Sequence, residues 1–263
     1  MFLDMLIKSQ KFYHHQDSQH PPHSHLSNAG AGITTQKSGT REIKVVRRVL
    51  DVNEKMAEQN RRLFSAKRVF VLNVMSSPGS GKTTTLEKTL SQIIPEIKSA
   101  VIVGDICTTN DADRLAVTGA PVVQINTDEF GGDCHLAAHV IEKAAGGIDL
   151  DDIDLLIVEN VGNLVCPAEF DIGEDARVVV LSVTEGEDKP VKYPLMFRVC
   201  DVALLNKIDL LPHLDYDKQK AVNFIHQIHP DMPVFEISAK TTEGFGPWIE
   251  WLTQKVRQKS TGR

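Results

Sequence analysis

The string SSPGSGKTT, Ser76 to Thr84, follows directly on the apolar run Val69-Phe70-Val71-Leu72-Asn73-Val74-Met75. A buried strand that ends in a glycine-rich turn and opens a helix is a phosphate cradle. Few folds can grow from such a start. Gly79 and Gly81 let backbone N–H groups turn inward on phosphate oxygens with no Cβ in the way. Lys82 supplies a point charge for the β- and γ-phosphates, and the Thr83 hydroxyl can ligate Mg²⁺. Ser80 and Thr84 complete the phosphate-holding set. The usual pattern carries glycine at the first loop position, where this chain has Ser76. The core GSGKTT string, with the helical TTTLEKTLSQII behind it, still specifies a nucleotide-binding loop.

From Val69 onward apolar runs alternate with helical patterns. Strands are expected at Val69–Met75, Ala100–Val103, Val122–Ile125, Leu155–Val158, Val178–Val183, Val202–Asn206 and Val234–Ile237. Helices are expected over 83–94, 111–118, 133–145, 215–228 and 246–258. Alternation of this kind implies an α/β fold, a mostly parallel sheet with helices on both faces. Ligands then sit at the carboxyl ends of the strands, where the motif loops fall.

The base is specified further along. Val202-Ala203-Leu204-Leu205 ends in Asn206-Lys207-Ile208-Asp209, an N-K-x-D pattern at a strand end. A carboxylate at Asp209 can accept from the two adjacent N–H groups of guanine, and adenine offers no matching pair. Asn206 can bond the purine, and the Lys207 stem can cover the ring. Ser238-Ala239-Lys240, behind Val234–Ile237, is placed to complete a guanine pocket. The expected ligands are GTP and GDP.

Two further loops fall on the same edge. Gly104-Asp105-Ile106-Cys107 follows the second strand, and Asp105 can reach Mg²⁺ or the attacking water. Glu159-Asn160-Val161-Gly162 follows the fourth, an acid-x-x-glycine arrangement in which Gly162 N–H can bond the terminal phosphate and be released on hydrolysis. Lys82, Asp105 and Glu159 are therefore the catalytic candidates. No glutamine stands after Gly162 to orient water, so slow intrinsic turnover is expected, as in a switch.

The formal charge of −6, with no basic cluster, argues against nucleic-acid binding. No apolar run approaches the roughly 20 residues that cross a bilayer. Cysteines at 107, 134, 166 and 200 form no disulfide framework, which fits a reducing cytoplasm. The chain is expected to divide near residue 41. Residues 1–40 form a polar leader with His14, His15, His20, His23 and His25, read as disordered. Residues 41–263 are read as the nucleotide-binding domain. They start with an amphipathic helix from Arg41 to Lys67 whose apolar positions include Val46, Val49, Leu50, Met56, Leu63 and Phe64.

Cys134 and His135 are adjacent, at the start of the helix expected over 133–145, where a helix N-terminus favours the thiolate. Cys166 follows in NLVCPAEFD. Thiolate and imidazole suit Zn²⁺ and Ni²⁺. On residue types alone, a buried cysteine and a helix-cap histidine are the better explanation of these positions.

Taken together, SSPGSGKTT, GDICTTNDADRL, the Cys134-His135-Leu136 triplet, ENVGNLVCPAEFDIGE and LLNKIDLLPH resemble the HypB family of hydrogenase nickel-incorporation GTPases, in order from about Arg41 to Lys255. The resemblance implies GTP-driven homodimerisation and an interface site for Ni²⁺ or Zn²⁺ built from Cys134, His135 and Cys166. It also implies nickel delivery to the [NiFe]-hydrogenase large-subunit precursor with the nickel chaperone HypA. The amino-terminal cysteine motif of some members is missing, since no cysteine precedes Cys107; the histidines of the leader resemble the nickel-storing tails of others. A urease-type nickel GTPase, with its Cys-x-His motif, and a GTP-dependent assembly switch without metal transfer are the alternatives.

Overall fold

The computed structural model describes residues 39–105, 110–126 and 135–261. The leader, and with it the five histidines of 14–25, lies outside these residues; so do Cys107 and Cys134.

Seven strands form one all-parallel sheet. They are β1 (Phe70–Ser76), β2 (Ser99–Asp105), β3 (Val122–Asn126), β4 (Leu155–Glu159), β5 (Ala176–Ser182), β6 (Val202–Asn206) and β7 (Val234–Glu236), in spatial order β3-β2-β4-β1-β5-β6-β7. β1 is central, with β4 and β5 as neighbours. Strands buried on both faces need continuous apolar runs, and every residue of β1, β4 and β6 is buried. The helices are α1 (Gly39–Lys67), α2 (Lys82–Ile93), α3 (Asn110–Ala116), α4 (Ala138–Ala145), α5 (Lys189–Lys192), α6 (Pro194–Val199), α7 (Lys218–Ile228) and α8 (Phe245–Thr261). The two short helices α5 and α6, each with proline in its first turn, were not expected. Proline is tolerated there because the first N–H groups have no partner within the helix. Among the described residues no helix is long and apolar enough to cross a membrane.

The period of two along β1 divides the core. Phe70, Leu72 and Val74 face α2 and α8, packing with Leu86, Leu90, Trp248 and Leu252. Full burial of a leucine such as Leu86 or Leu90 contributes about 1.5–3 kcal/mol. The indole N–H of Trp248 donates to Thr89 Oγ1 at 2.9 Å, so α8 is also pinned to α2 by a buried hydrogen bond. On the other face Val71 belongs to a cluster with Phe64, Ile102, Leu136 and Ile141, and Met75 to a separate one with Leu181, Phe197 and Ile225. Asn73, fully buried between Val71 and Met75, marks a polar seam between those two clusters.

Helix α1 buries a different face from the one its apolar residues suggest. Val49 and Leu63 are exposed, whereas Asn53, Ala57, Asn60 and Phe64 are buried. Their spacing of four, three and four puts them on one stripe. Asn53 Nδ2 donates to Asp171 O at 2.7 Å, and its Oδ1 accepts from Ala138 N at 2.9 Å. Asn60 Nδ2 donates to Ala138 O and Ile172 O. Two amides that hold backbone thus outcompete the valine stripe. Gly173 (φ +89°) lets the chain approach α1 this closely: a Cβ built on it falls 2.6 Å from Ala57 O.

Candidate nucleotide and metal site

The phosphate loop turns through left-handed backbone at Gly79 (φ +74°) and Gly81 (φ +92°). A Cβ at Gly81 would lie 2.5 Å from Asn206 Nδ2, so glycine is required there twice over. Ser76 has no positive φ. It ends β1, buried, with its hydroxyl donating to Ser77 O at 2.8 Å. The missing first glycine is therefore no defect.

Thr83 Oγ1 donates to Glu159 Oε1 at 2.7 Å, and Lys82 Nζ stands 3.3 Å from the same oxygen. Burial pushes the Glu159 carboxyl up, opposed by the Lys82 ammonium and the Thr83 hydroxyl. Its second oxygen is buried without a hydrogen-bond partner, and so is Ser80 Oγ. A carboxylate and a hydroxyl side by side, with one oxygen unsatisfied, fit the outer and inner partners of a hydrated Mg²⁺. Thr84 differs from expectation: its hydroxyl accepts from Arg114 Nη2 at 2.9 Å. It is committed to α3. Asp105 is the last residue of β2, and the loop behind it, residues 106–109, lies outside the described residues.

Asn206 also has a different occupation from the purine contact expected of it. Its Nδ2 donates to Ser80 O at 2.9 Å, and its Oδ1 accepts from Lys207 N and Ala239 N. One buried amide therefore ties the phosphate loop to both base loops. Lys207, in left-handed backbone (φ +64°), donates from Nζ to Gly79 O at 2.7 Å. Ser238 Oγ donates to Asp209 Oδ1 at 2.6 Å. Asp209, Ser238 and Ala239 are thus gathered at one end of the sheet. Lys240, next in that loop, is exposed.

Sequence reasoning missed Glu185. The Ser77 hydroxyl donates to its Oε2 at 2.5 Å, Lys189 lies 3.4 Å away, and its Oε1 is buried without a hydrogen-bond partner. The acid-rich Glu185-Gly186-Glu187-Asp188 immediately behind β5 was the available signal. Gly162 sits over the phosphate loop, where a Cβ would meet Pro78 Cα at 3.3 Å.

The helix expected over 133–145 begins later in the described residues: α4 starts at Ala138, and Ala137 is extended (φ −90°, ψ 157°), so His135 precedes it. The chain runs straight there because Leu136, fully buried, has to reach the core while Asn53 and Asn60 grip the backbone of Ala138. The His135 ring stacks on Phe170 at 3.7 Å, and its Nδ1 is buried without a hydrogen-bond partner. Cys166 opens a 3₁₀ turn four residues before Phe170, so the structure brings His135 against the segment that carries Cys166. Burial pushes Glu169, in that segment, up, partly offset by His135. Among the described residues no three His, Cys, Asp or Glu side chains form a metal cluster. His139 is exposed on α4, and burial pushes the Cys200 thiol far up, which marks it as a packing residue.

Comparison with known proteins agrees with this geometry. The family model described as "CobW/HypB/UreG, nucleotide-binding domain" matches residues 70–236. The hydrogenase maturation factor HypB of Escherichia coli K12 is 46% identical over 246 residues, covering 94% of this chain and 83% of its own length. The hydrogenase/urease maturation factor HypB of Helicobacter pylori is 36% identical, covering 83% of this chain and 90% of its own. The crystal structure of Helicobacter pylori HypB in complex with nickel superposes with a TM-score of 0.73 at 37% identity, over 78% of this chain and 95% of that one. The phosphate loop, the family model and the coverage of these relatives agree, and the chain belongs to the HypB branch of the CobW/HypB/UreG family of P-loop nucleotide-binding proteins.

Proposed function

We propose that this chain is a GTP-hydrolysing nickel metallochaperone that assists insertion of Ni²⁺ into the large subunit of [NiFe]-hydrogenase. The observation that carries the reading is the stacking of His135 on Phe170. It joins the loop of the cysteine–histidine pair to the turn of Cys166, directly behind the strand end that reads the terminal phosphate. The nickel-bound relative supports the choice of metal.

In this reading Gly79, Ser80, Gly81 and Lys82 hold the phosphates, and Asp209 selects guanine with Ser238, Ala239 and Lys240 around the base. Thr83 and Asp105 hold Mg²⁺, with Glu159 as the outer partner; the ion, when bound, neutralises phosphate charge. Lys82 leaves Glu159 for the γ-phosphate, and Gly162 N–H reports that phosphate. The chain dimerises when GTP binds. Ni²⁺ is cargo, held by Cys134, His135 and Cys166; Zn²⁺ suits the same thiolate and imidazole set. Turnover is slow because no glutamine follows Gly162. HypA and the hydrogenase large-subunit precursor are the partners, in the cytoplasm, and residues 1–40 act as a leader outside the GTPase domain. Urease is a second destination, supported by the likeness to the hydrogenase/urease maturation factor HypB of Helicobacter pylori.

The test is a Ni²⁺ titration of the chain with GDP and with a non-hydrolysable GTP analogue, beside Cys134→Ala. The expected result is binding through Cys134 whose affinity or dimer linkage changes with nucleotide. Binding indifferent to both Cys134→Ala and nucleotide would sink the metallochaperone reading and leave a GTPase. Hydrogenase and urease activities in a strain lacking the chain then separate the two destinations.

A further inference from the structure

Leu136, the residue directly after the cysteine–histidine pair, is held from two sides by the strand ends that flank the nucleotide. Its backbone N–H donates to Asn160 Oδ1 at 3.2 Å, and Asn160 is the residue after Glu159. Its side chain packs on Gly104, the residue before Asp105: a Cβ there would fall 2.8 Å from Leu136 Cδ1. Asn160 has a second commitment. The same Oδ1 accepts from Val161 N at 2.9 Å, in the Asn160–Val161 peptide, one peptide before the Gly162 N–H. Its Nδ2 donates to Asn73 Oδ1 at 3.2 Å, and Asn73 Nδ2 donates to Glu174 Oε1 at 3.2 Å. Glu174 is buried, accepts from Ile172 N at 2.7 Å and is paired with Arg177.

Asn73 and Asn160 are both fully buried amides, and an apolar pair in their place would leave Leu136 N, Val161 N and Glu174 Oε1 without these partners. The seam they form reaches from the phosphate-reading loop to the metal loop. One carbonyl oxygen, Asn160 Oδ1, serves both Val161 N and Leu136 N. A shift of the Gly162 N–H toward a terminal phosphate that turns the adjoining Asn160–Val161 peptide changes the geometry at that oxygen, and with it the seat of Leu136.

We propose that Asn160 is the positioning residue that transmits nucleotide state to the metal loop, by sharing its side-chain oxygen between Val161 and Leu136; the proposal rests on the nucleotide-coupled metal site above. Asn160 contacts neither nucleotide nor metal in this role. Its effect falls on the coupling between the two sites, not on either affinity by itself.

The experiment uses the full chain and reads Ni²⁺ binding by the sulfur-to-nickel charge-transfer absorption, to which imidazoles of the leader do not contribute. The quantity is the ratio of Ni²⁺ affinities with GDP and with a non-hydrolysable GTP analogue. A coupled parent gives a ratio different from one by roughly fivefold or more. Asn160→Ala is expected to bring it to within about twofold of one, with GDP affinity retained. Asn160→Asp keeps the acceptor for both N–H groups and is expected to keep the ratio. An Asn160→Ala protein with the parent's ratio overturns the proposal, and so does loss of the ratio in both variants. Should Asn160→Ala not fold, Gly104→Ala moves Leu136 from its other side, and an unchanged ratio there overturns it equally. A parent without nucleotide dependence overturns the metallochaperone reading itself, and the proposal with it.

Discussion

The two loop systems around the phosphate loop are built on different plans. On the β6–β7 side, Asn206, Lys207 and the Asp209–Ser238 pair make several side-chain bonds, two of them directly to phosphate-loop carbonyls. On the β2–β4 side, among the described residues, the loop of His135 is tied to the strand ends by the carboxamide of Asn160 and by the packing of Leu136 on Gly104. Redundant hydrogen bonds hold a pocket in shape before its ligand arrives, and one shared acceptor allows movement. In the function proposed above, the base side is organised for recognition and the metal side for response.

The sharpest way to break the base side is Gly81→Ala. The new Cβ falls 2.5 Å from Asn206 Nδ2 and the backbone has φ +92°. Strain of about 1–3 kcal/mol and a lost buried hydrogen bond of similar size combine to reduce guanine-nucleotide affinity by about two orders of magnitude. Calorimetric titration with GDP checks this; an affinity within threefold of the parent would mean that Asn206 is not the tie described.

Asp209→Asn tests recognition with less disruption. The amide donates where the carboxylate accepted, so preference is expected to move from GTP toward XTP by about tenfold to a hundredfold. Competition between the two nucleotides measures it directly. If the variant prefers GTP as strongly as the parent, Asp209 does not read the base.

On the metal side, Asn60→Ala leaves Ala138 O and Ile172 O without their buried donor. Denaturant unfolding should show a loss of about 1–3 kcal/mol, with GDP affinity unchanged. A drop in GDP affinity would show that the two sides are less separate than their hydrogen bonds indicate.

The smallest effect belongs to Arg61, half-exposed on α1 and paired with Asp171 at 2.7 Å. Burial pushes the Asp171 carboxyl up, but the Gly173 N–H and the Arg61 guanidinium more than reverse this and hold it below the usual carboxylate range. A lowered folded value means that the ionised form stabilises the fold above about pH 4, the ordinary carboxylate value. The contribution fades as pH falls through the lowered one. Arg61→Ala is expected to cost less than about 1 kcal/mol at pH 7. The difference from the parent should shrink in acid; a difference independent of pH would assign it to lost packing.

Much of this was legible in the residues themselves. The inner strands β1, β4 and β6 announce themselves as apolar runs because a parallel sheet buries both their faces, while the edge strands β3 and β7, half-buried, carry shorter ones. The phosphate loop is legible because its glycines have no substitute. The faults arise where a polar side chain holds backbone. Asn53 and Asn60 define the buried face of α1, yet periodicity weighs only apolar positions and so favours Val49 and Leu63. The helix expected over 133–145 starts only at Ala138: Leu136 and Ala138 are buried two residues apart, the rhythm of extended chain, with Ala137 extended between them. Asn206 has the type expected of a purine contact, and only the fold reveals that the Ser80 carbonyl is within its reach. Asn73 was the available warning, an amide in the middle of an otherwise apolar strand.

The pinning of Trp248 to Thr89 has a practical consequence. The chain has two tryptophans, Trp248 and Trp251, stacked with centroids 5.5 Å apart on α8. Intrinsic fluorescence therefore comes from one place, the seam between the last helix and the helix that begins at Lys82. An emission change on adding nucleotide reports a shift along that seam, and events confined to the metal loop leave the signal dark. The molecule carries its own optical channel for one of its two ligands.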